Sequence, residues 1–527
     1  MTSAPPAPPA PPRVPSPSGD AAAPRRRRGR RGLVIALVSV LGVVVLLVGA
    51  AAVWFATNSV RRTPPAAGTV DFAAPLPVPE LAPSRVEDGV RVFDLSAQEG
   101  TTAFVPQGET ATLGYNGSYL GPTLVAARGE RVRVDTVNGL SDPTTVHWHG
   151  MHLPAAMDGG PHSPIAPGAS WHPEWVIDQP AATLWYHPHL HGRTREQVDA
   201  GLAGMFLVRD DEEAALALPR DYGVDDIPLI VQDRAFNPDG SFAGGIGMQF
   251  DGVLGDTILV NGVIAPHLEV TTERVRLRLL NGSSARMYDF AFADGREFDL
   301  IATDGGLLEA PVPSESIPLS PGERAEIVVT MTPGEQVALR SAAPDPDLHA
   351  GSATFDVLEL RAAESLGDSP EVPAHLTELP TPDAIAAAPE RSFEMSGHEI
   401  NDREMDLGRA DFTATVDTSE VWTVRNDNPL PHSFHVHDTQ FRVLSVDGEV
   451  PPARLAGYKD TIALEWNREY RLLVRFEDYA DASTPYMYHC HLLWHEDQGM
   501  MGQFLVVEPG QQPDLTRPEG DSDDHDH

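Results

Sequence analysis

The stretch YHCHLLWHEDQGMM, residues 488–501, holds the only cysteine of the chain. Cys490 stands between His489 and His491, with His495 five residues on and Met500 ten residues on. Three more HxH pairs lie upstream: His147 and His149 in HWHG, His187 and His189 in WYHPHLHG, and His435 and His437 in HVH, with His432 three residues before the last. In an extended strand residues i and i+2 face one side, so each pair presents two imidazoles together. In HCH the two histidines therefore face one way and Cys490 the other, and one strand can touch two metal sites. Two imidazoles, a thiolate and a weak thioether, from His432, His495, Cys490 and Met500, are the donor set of a blue-copper electron-transfer centre. His191 continues one of the runs and is expected to support the ligands, while His152, His162 and His172 have no assigned part.

The elements that must position these residues repeat. ERVRVDTVN (130–138), ERVRLRLLN (273–281) and EVWTVRN (420–426) each alternate β-branched and polar residues and end in asparagine. Each reads as a strand with one buried face. Units of that length, rich in short strands and Gly/Pro turns, point to three Greek-key β-sandwiches. GLAGMFLV (201–208) and GMMGQFLV (499–506) close the first and third units alike. Nine residues beyond the closing asparagine stand His147, Phe290 and His435, so the middle unit carries phenylalanine where the outer two carry histidine. The site is thus expected between units one and three, with unit two holding them in place.

The expected boundaries are 72–212, 220–360 and 391–510, with a linker at 361–390 and an acidic tail at 511–527. Ahead of them lie a basic arm at 1–31, an uncharged apolar run at 32–56 and a linker at 57–71. An apolar run of about 20 residues is long enough to span a bilayer as a helix. The run reads as an anchor, with a cleaved signal as the alternative. The arginines before it place the arm in the cytoplasm and the sandwiches outside the membrane. Beyond residue 62 the chain has 29 basic and 75 acidic groups, which argues against nucleic acid as a partner. A single cysteine excludes an internal disulfide.

TTVHWHGMHLPAAMDGGP, DQPAATLWYHPHLHG, PHSFHVH and YHCHLLWHEDQGMM together resemble the three-domain multicopper oxidases over about 72–509. The similarity is nearest to bacterial copper-efflux oxidases and laccase-like enzymes. It implies three cupredoxin domains and four copper ions. One type 1 copper would sit on Cys490, His432, His495 and Met500, and the type 2 copper on His147 and His435. One type 3 copper would take His149, His187 and His491, and the other His189, His437 and His489. Asp158 and Glu496 align with the family's proton-supplying acids.

The resemblance implies oxidation of a small reducing substrate, a phenol or aromatic amine, coupled to reduction of O2 to water. His495 is expected to be the type 1 ligand nearest solvent. A cuprous or manganous ion oxidase is the alternative, and a copper-binding or structural cupredoxin-fold protein is the non-enzyme one. Copper-efflux oxidases often carry a methionine-rich insert, and here no methionine occurs between Met331 and Met395.

Overall fold

The computed structural model describes residues 67–243, 252–343, 353–380 and 388–515. The basic arm, the apolar run 32–56, residues 57–66 of the linker and the tail from 516 lie outside the described residues. Among the described residues no helix is long and apolar enough to cross a membrane.

The described chain is mostly β, as its alternating segments and Gly/Pro turns require, in six sheets that share three cores. The first pair sets the strands Leu124–Ala127, Gly204–Arg209, Ala182–His187 and His147–His149 against a sheet built on Val90–Val105 and Arg131–Asn138. Phe93, Trp148, Trp175 and Phe206 fill the space between them. A second pair, around Asp226–Arg234 with Arg274–Asn281 and Gln336–Ser341 with Phe355–Gly367, closes on Leu277, Phe290, Ile327 and Val357. The third sets Glu390–Ser396, Thr418–Asn426 and Glu469–Phe476 against His432–Val436, Asp481–Cys490 and Met501–Val507, over Trp422, Phe434, Tyr488 and Phe504.

Strand pairing crosses the expected units in one place and runs through an expected boundary in another. Ala74–Pro75, expected in the first unit, pairs in parallel with Pro266–His267 of the second. Phe355–Gly367 runs past residue 360 into the expected linker, because its partner strand Pro266–Thr272 offers backbone groups that far. Linker-like composition marked the stretch after 360, but unpaired backbone groups on a sheet edge decide where pairing stops.

The three closing asparagines explain why counting nine residues onward finds equivalent positions. Asn138 Nδ2 donates to the Asp142 and Ile165 carbonyls, and its Oδ1 accepts from Leu140 N. Asn281 repeats this with Arg286 O, Leu319 O and Ser283 N, and Asn426 with Leu430 O, Leu464 O and Asn428 N. All three are fully buried. Each ties the end of one strand to the start of the next loop and to a neighbouring strand, so the following strand begins at a fixed place. In the outer units that strand carries HWH or HVH, and in the middle one Tyr288–Phe292.

Candidate metal centres

Strand pairing brings the histidine pairs together. His187 lies opposite His147, and Trp185 opposite His149, in one sheet. In the third unit His435 lies opposite His489 and Phe434 opposite Cys490. Alternation then sends His489 and His491 out of the third sandwich while Cys490 joins its core beside Met500. The HxH histidines of units one and three meet in a single buried cage of eight rings, each at most 1% exposed. Two ring pairs stack across the boundary: His147 on His437 and His149 on His435, both with centroids 3.8 Å apart.

The outward nitrogen of six of these rings is held by an acceptor. His147 Nδ1 donates to Asp158 O, His187 Nδ1 to Pro188 O, His435 Nδ1 to Asp460 O and His489 Nδ1 to Cys490 O. His437 Nδ1 donates to Asp158 Oδ2 at 2.7 Å, and His149 Nε2 to Asp460 Oδ1 at 3.0 Å. A neutral ring that donates from one nitrogen carries a lone pair on the other. Those lone pairs converge: His437 Nε2 and His489 Nε2 are 3.3 Å apart, and His149 Nδ1 and His187 Nε2 are 3.4 Å apart. Facing lone pairs repel unless a cation lies between them. Burial disfavours a proton there, pushing His149, His187, His189, His435, His437 and His491 well below the ordinary imidazole range and His489 down to about 3. His147 Nε2 and His435 Nε2 are likewise buried with no hydrogen-bond partner. A cage of neutral imidazoles aimed at one another fits metal cations.

The donors divide into compact groups whose atoms lie within 4.8 Å of one another: His149, His187 and His491; His189, His437 and His489; His147, His149 and His435. A fourth group, His432, Cys490 and His495, stands on the other face of the HCH strand. Cys490 Sγ is 3.5 Å from His432 Nδ1 and 3.6 Å from His495 Nδ1. Met500 is fully buried and held here by Cys490 N, which donates to Met500 O at 3.0 Å. Burial pushes the free Cys490 thiol up to about 12, whereas a coordinating thiol is deprotonated outright. Soft sulfur beside two imidazoles is the donor chemistry that copper favours.

His495 is not at the surface. It is fully buried, with the rings of His398 and Trp494 against it at 5.0 and 6.0 Å. His398, on the turn after Glu390–Ser396, and Trp494 are the half-buried residues of this group. His191 is exposed rather than behind the ligands. His162 bonds Gln503, His172 pairs with Asp135 on the surface, and His152 pairs with Asp438.

Both expected acids are buried at the cage. Asp158 Oδ2 holds His437, and its Oδ1 lies 3.3 Å from His147 Nδ1. Glu496 lies 3.5 Å from His189 Nδ1 and 3.4 Å from His489 Nδ1. Burial, reinforced by Asp497, pushes its pKa well above the usual carboxylate range against an opposing Thr194 contact. Sequence reading missed Asp460, the acid that holds His149 and, through its carbonyl, His435. Its signal was faint: an acid two residues before Ile462 in the strand paired with His432–Val436.

The comparisons agree with this geometry. Family models described as multicopper oxidase match residues 96–213, 228–352 and 375–510. The chain is 37% identical over 437 residues to a multicopper oxidase of Staphylococcus epidermidis, covering 81% of this chain and 92% of that one. It is also 37% identical over 453 residues to the cell division protein FtsP of Escherichia coli, covering 82% and 92%. Among solved structures, a laccase-like multicopper oxidase from the lignin-degrading Ochrobactrum sp. superposes with a TM-score of 0.76 at 36% identity, over 82% of this chain and all of that one. That protein is described as oxidising lignin model compounds and lignosulfonate. Three matched segments, close relatives and a cage of neutral histidines beside a cysteine place this chain in the multicopper oxidase family.

Proposed function

We propose that this oxidoreductase takes electrons singly from a small aromatic donor, a phenol or aromatic amine, at the Cys490 centre and passes them to O2 at the histidine cage. The carrying observation is the HCH strand, which places Cys490 in one site and its two chain neighbours in the other. Cys490, His432, His495 and Met500 would hold a type 1 copper, and His147 and His435 a type 2 copper. His149, His187 and His491 would hold one type 3 copper and His189, His437 and His489 its partner. Bound copper supplies one-electron redox chemistry at the first site and four-electron reduction of O2 to two waters at the second.

The chain's own residues do the rest. Cys490 provides a covalent path of a few bonds to His489 and His491. The carbonyl and carboxylate partners fix each ring's tautomer, so its lone pair faces inward. Full burial excludes bulk water. Forming water from O2 consumes protons, and Glu496, whose burial favours the protonated carboxyl, can release one beside His189 and His489. Asp158 Oδ1 faces His147 and can accept and pass a second.

An aromatic donor is supported by the ring edge that Trp494 and His398 offer beside His495. The stretch without methionine between Met331 and Met395 lacks the soft thioethers a cuprous donor would favour. The acidic excess supports a second reading, oxidation of a metal ion. O2 uptake by the copper-loaded protein with a phenol, cuprous ion and manganous ion separates them. Turnover of cuprous ion with no phenol oxidation sinks the aromatic reading. We further propose that residues 32–56 anchor the enzyme with its sandwiches outside the membrane. Recovery of the full-length chain in the soluble cell fraction would contradict this.

A further inference from the structure

The unit without ligand histidines reaches into the cage through the turn at 320–324. Gly322 has φ +89°, and a Cβ there would stand 3.0 Å from the His491 ring, so backbone presses directly on a ligand. Ser433 Oγ donates to Pro321 O, and Ser433 O accepts from His491 N at 2.6 Å. Two residues on, Arg324 is completely buried. Its Nη1 and Nη2 grip Asp460 Oδ1 and Oδ2 at 2.7 and 2.6 Å. The remaining donors reach the Thr183, Gly322 and Asp304 carbonyls, so all five N–H groups are used.

Asp460 is equally committed. Oδ1 accepts from His149 Nε2 at 3.0 Å and from Thr461 Oγ1 at 2.8 Å, and the Asp460 carbonyl accepts from His435 Nδ1 at 2.9 Å. Gly150, which ends HWHG, has φ +82°, and a Cβ there would lie 2.5 Å from Asp460 Oδ2 and 2.6 Å from Arg324 Nη2. The glycine of that motif therefore makes room for this ion pair.

We infer that Arg324 is a positioning residue for the histidine cage, acting through Asp460 to set His149 of the first unit and His435 of the third at once. The inference rests on reading the cage as the copper site that reduces O2. A planar guanidinium fixes both carboxylate oxygens in one plane, which the point charge of lysine cannot do. The middle unit thus supplies the cage's orientation without supplying a ligand.

Two variants of the copper-loaded protein test this. Arg324→Lys keeps the charge and loses the fork. The pair Arg324→Met with Asp460→Asn removes both charges, so no lone buried ion burdens folding. Each is examined for blue absorbance at Cys490, the paramagnetic signal of the cage copper, and the rate of copper release to a chelator. The expected result is unchanged blue absorbance, an altered cage signal and release about 10–100-fold faster, the usual effect of losing a partner behind a metal ligand. Parent-like cage signal and release in either folded variant overturns the inference alone. A parent chain that takes up copper only at the Cys490 centre overturns the reading of the cage as well.

Discussion

His149 and His435, from the first and third units, lie stacked with centroids 3.8 Å apart and planes 9° apart, both tied to Asp460. His147 and His437 repeat the arrangement on Asp158, at 3.8 Å and 19°. Four of the cage's eight rings thus form two stacked pairs, each spanning the boundary and each held by one aspartate. Neither unit can form either pair alone.

Replacing Cys490 by Ser removes the thiolate from one site without touching the lone pairs of the cage. The expected outcome is loss of blue absorbance and of steady-state O2 uptake, with cage copper retained by metal analysis. A Cys490→Ser protein that oxidises a phenol at the parent rate would show that electrons enter elsewhere.

Glu496→Gln keeps the shape and removes the proton. Positioned proton donors contribute roughly 10²–10⁴-fold, so O2 uptake should fall by about 10²-fold or more. Copper content and blue absorbance stay at parent levels, since Glu496 donates to no Cys490-site ligand. Equal O2 uptake by parent and variant across the pH range would remove Glu496 from proton supply.

Asn281→Ala deletes three buried side-chain hydrogen bonds in the unit that carries no ligand histidine, and leaves the backbone bond from Gly322 N to residue 281 in place. Each is worth roughly 1 kcal/mol, and the groups left unpaired raise the cost, so unfolding free energy should drop by about 3–5 kcal/mol. Copper content of the folded fraction should not change. Asn426→Ala loses the equivalent bonds at the start of the HVH segment, and there both stability and copper retention should fall. Denaturant unfolding with metal analysis of both variants checks the contrast.

His152 gives stability a pH dependence. Burial pulls its imidazolium down, but Asp438 at 2.8 Å and Asp478 at 3.3 Å outweigh this and raise its pKa to about 9. The folded value lies above the unfolded one of about 6.5. The contribution is therefore full below about pH 6.5 and lost as pH rises through 9. It amounts to at most about 3 kcal/mol. Comparing the melting temperatures of parent and His152→Gln from pH 6 to 10 tests this, the parent's advantage shrinking toward the alkaline end.

Periodicity and spacing alone determined much of this protein. Alternation made the segments strands, and the same alternation split His489 and His491 from Cys490, because a strand's side chains change sides at every residue. The closing asparagines aligned three units, and the phenylalanines at the middle unit's ligand positions excluded it as a donor of histidines. Tertiary structure alone decided the rest. Asp460 and Arg324 come from segments with no ligand pattern, and their role exists only where three units converge in space. His398, from a distant turn, packs beside His495 together with Trp494, a contact that no local pattern around either residue announces. Strand ends at 75 and 367 followed the reach of a neighbouring strand, since a backbone hydrogen bond depends on its partner and not on local composition.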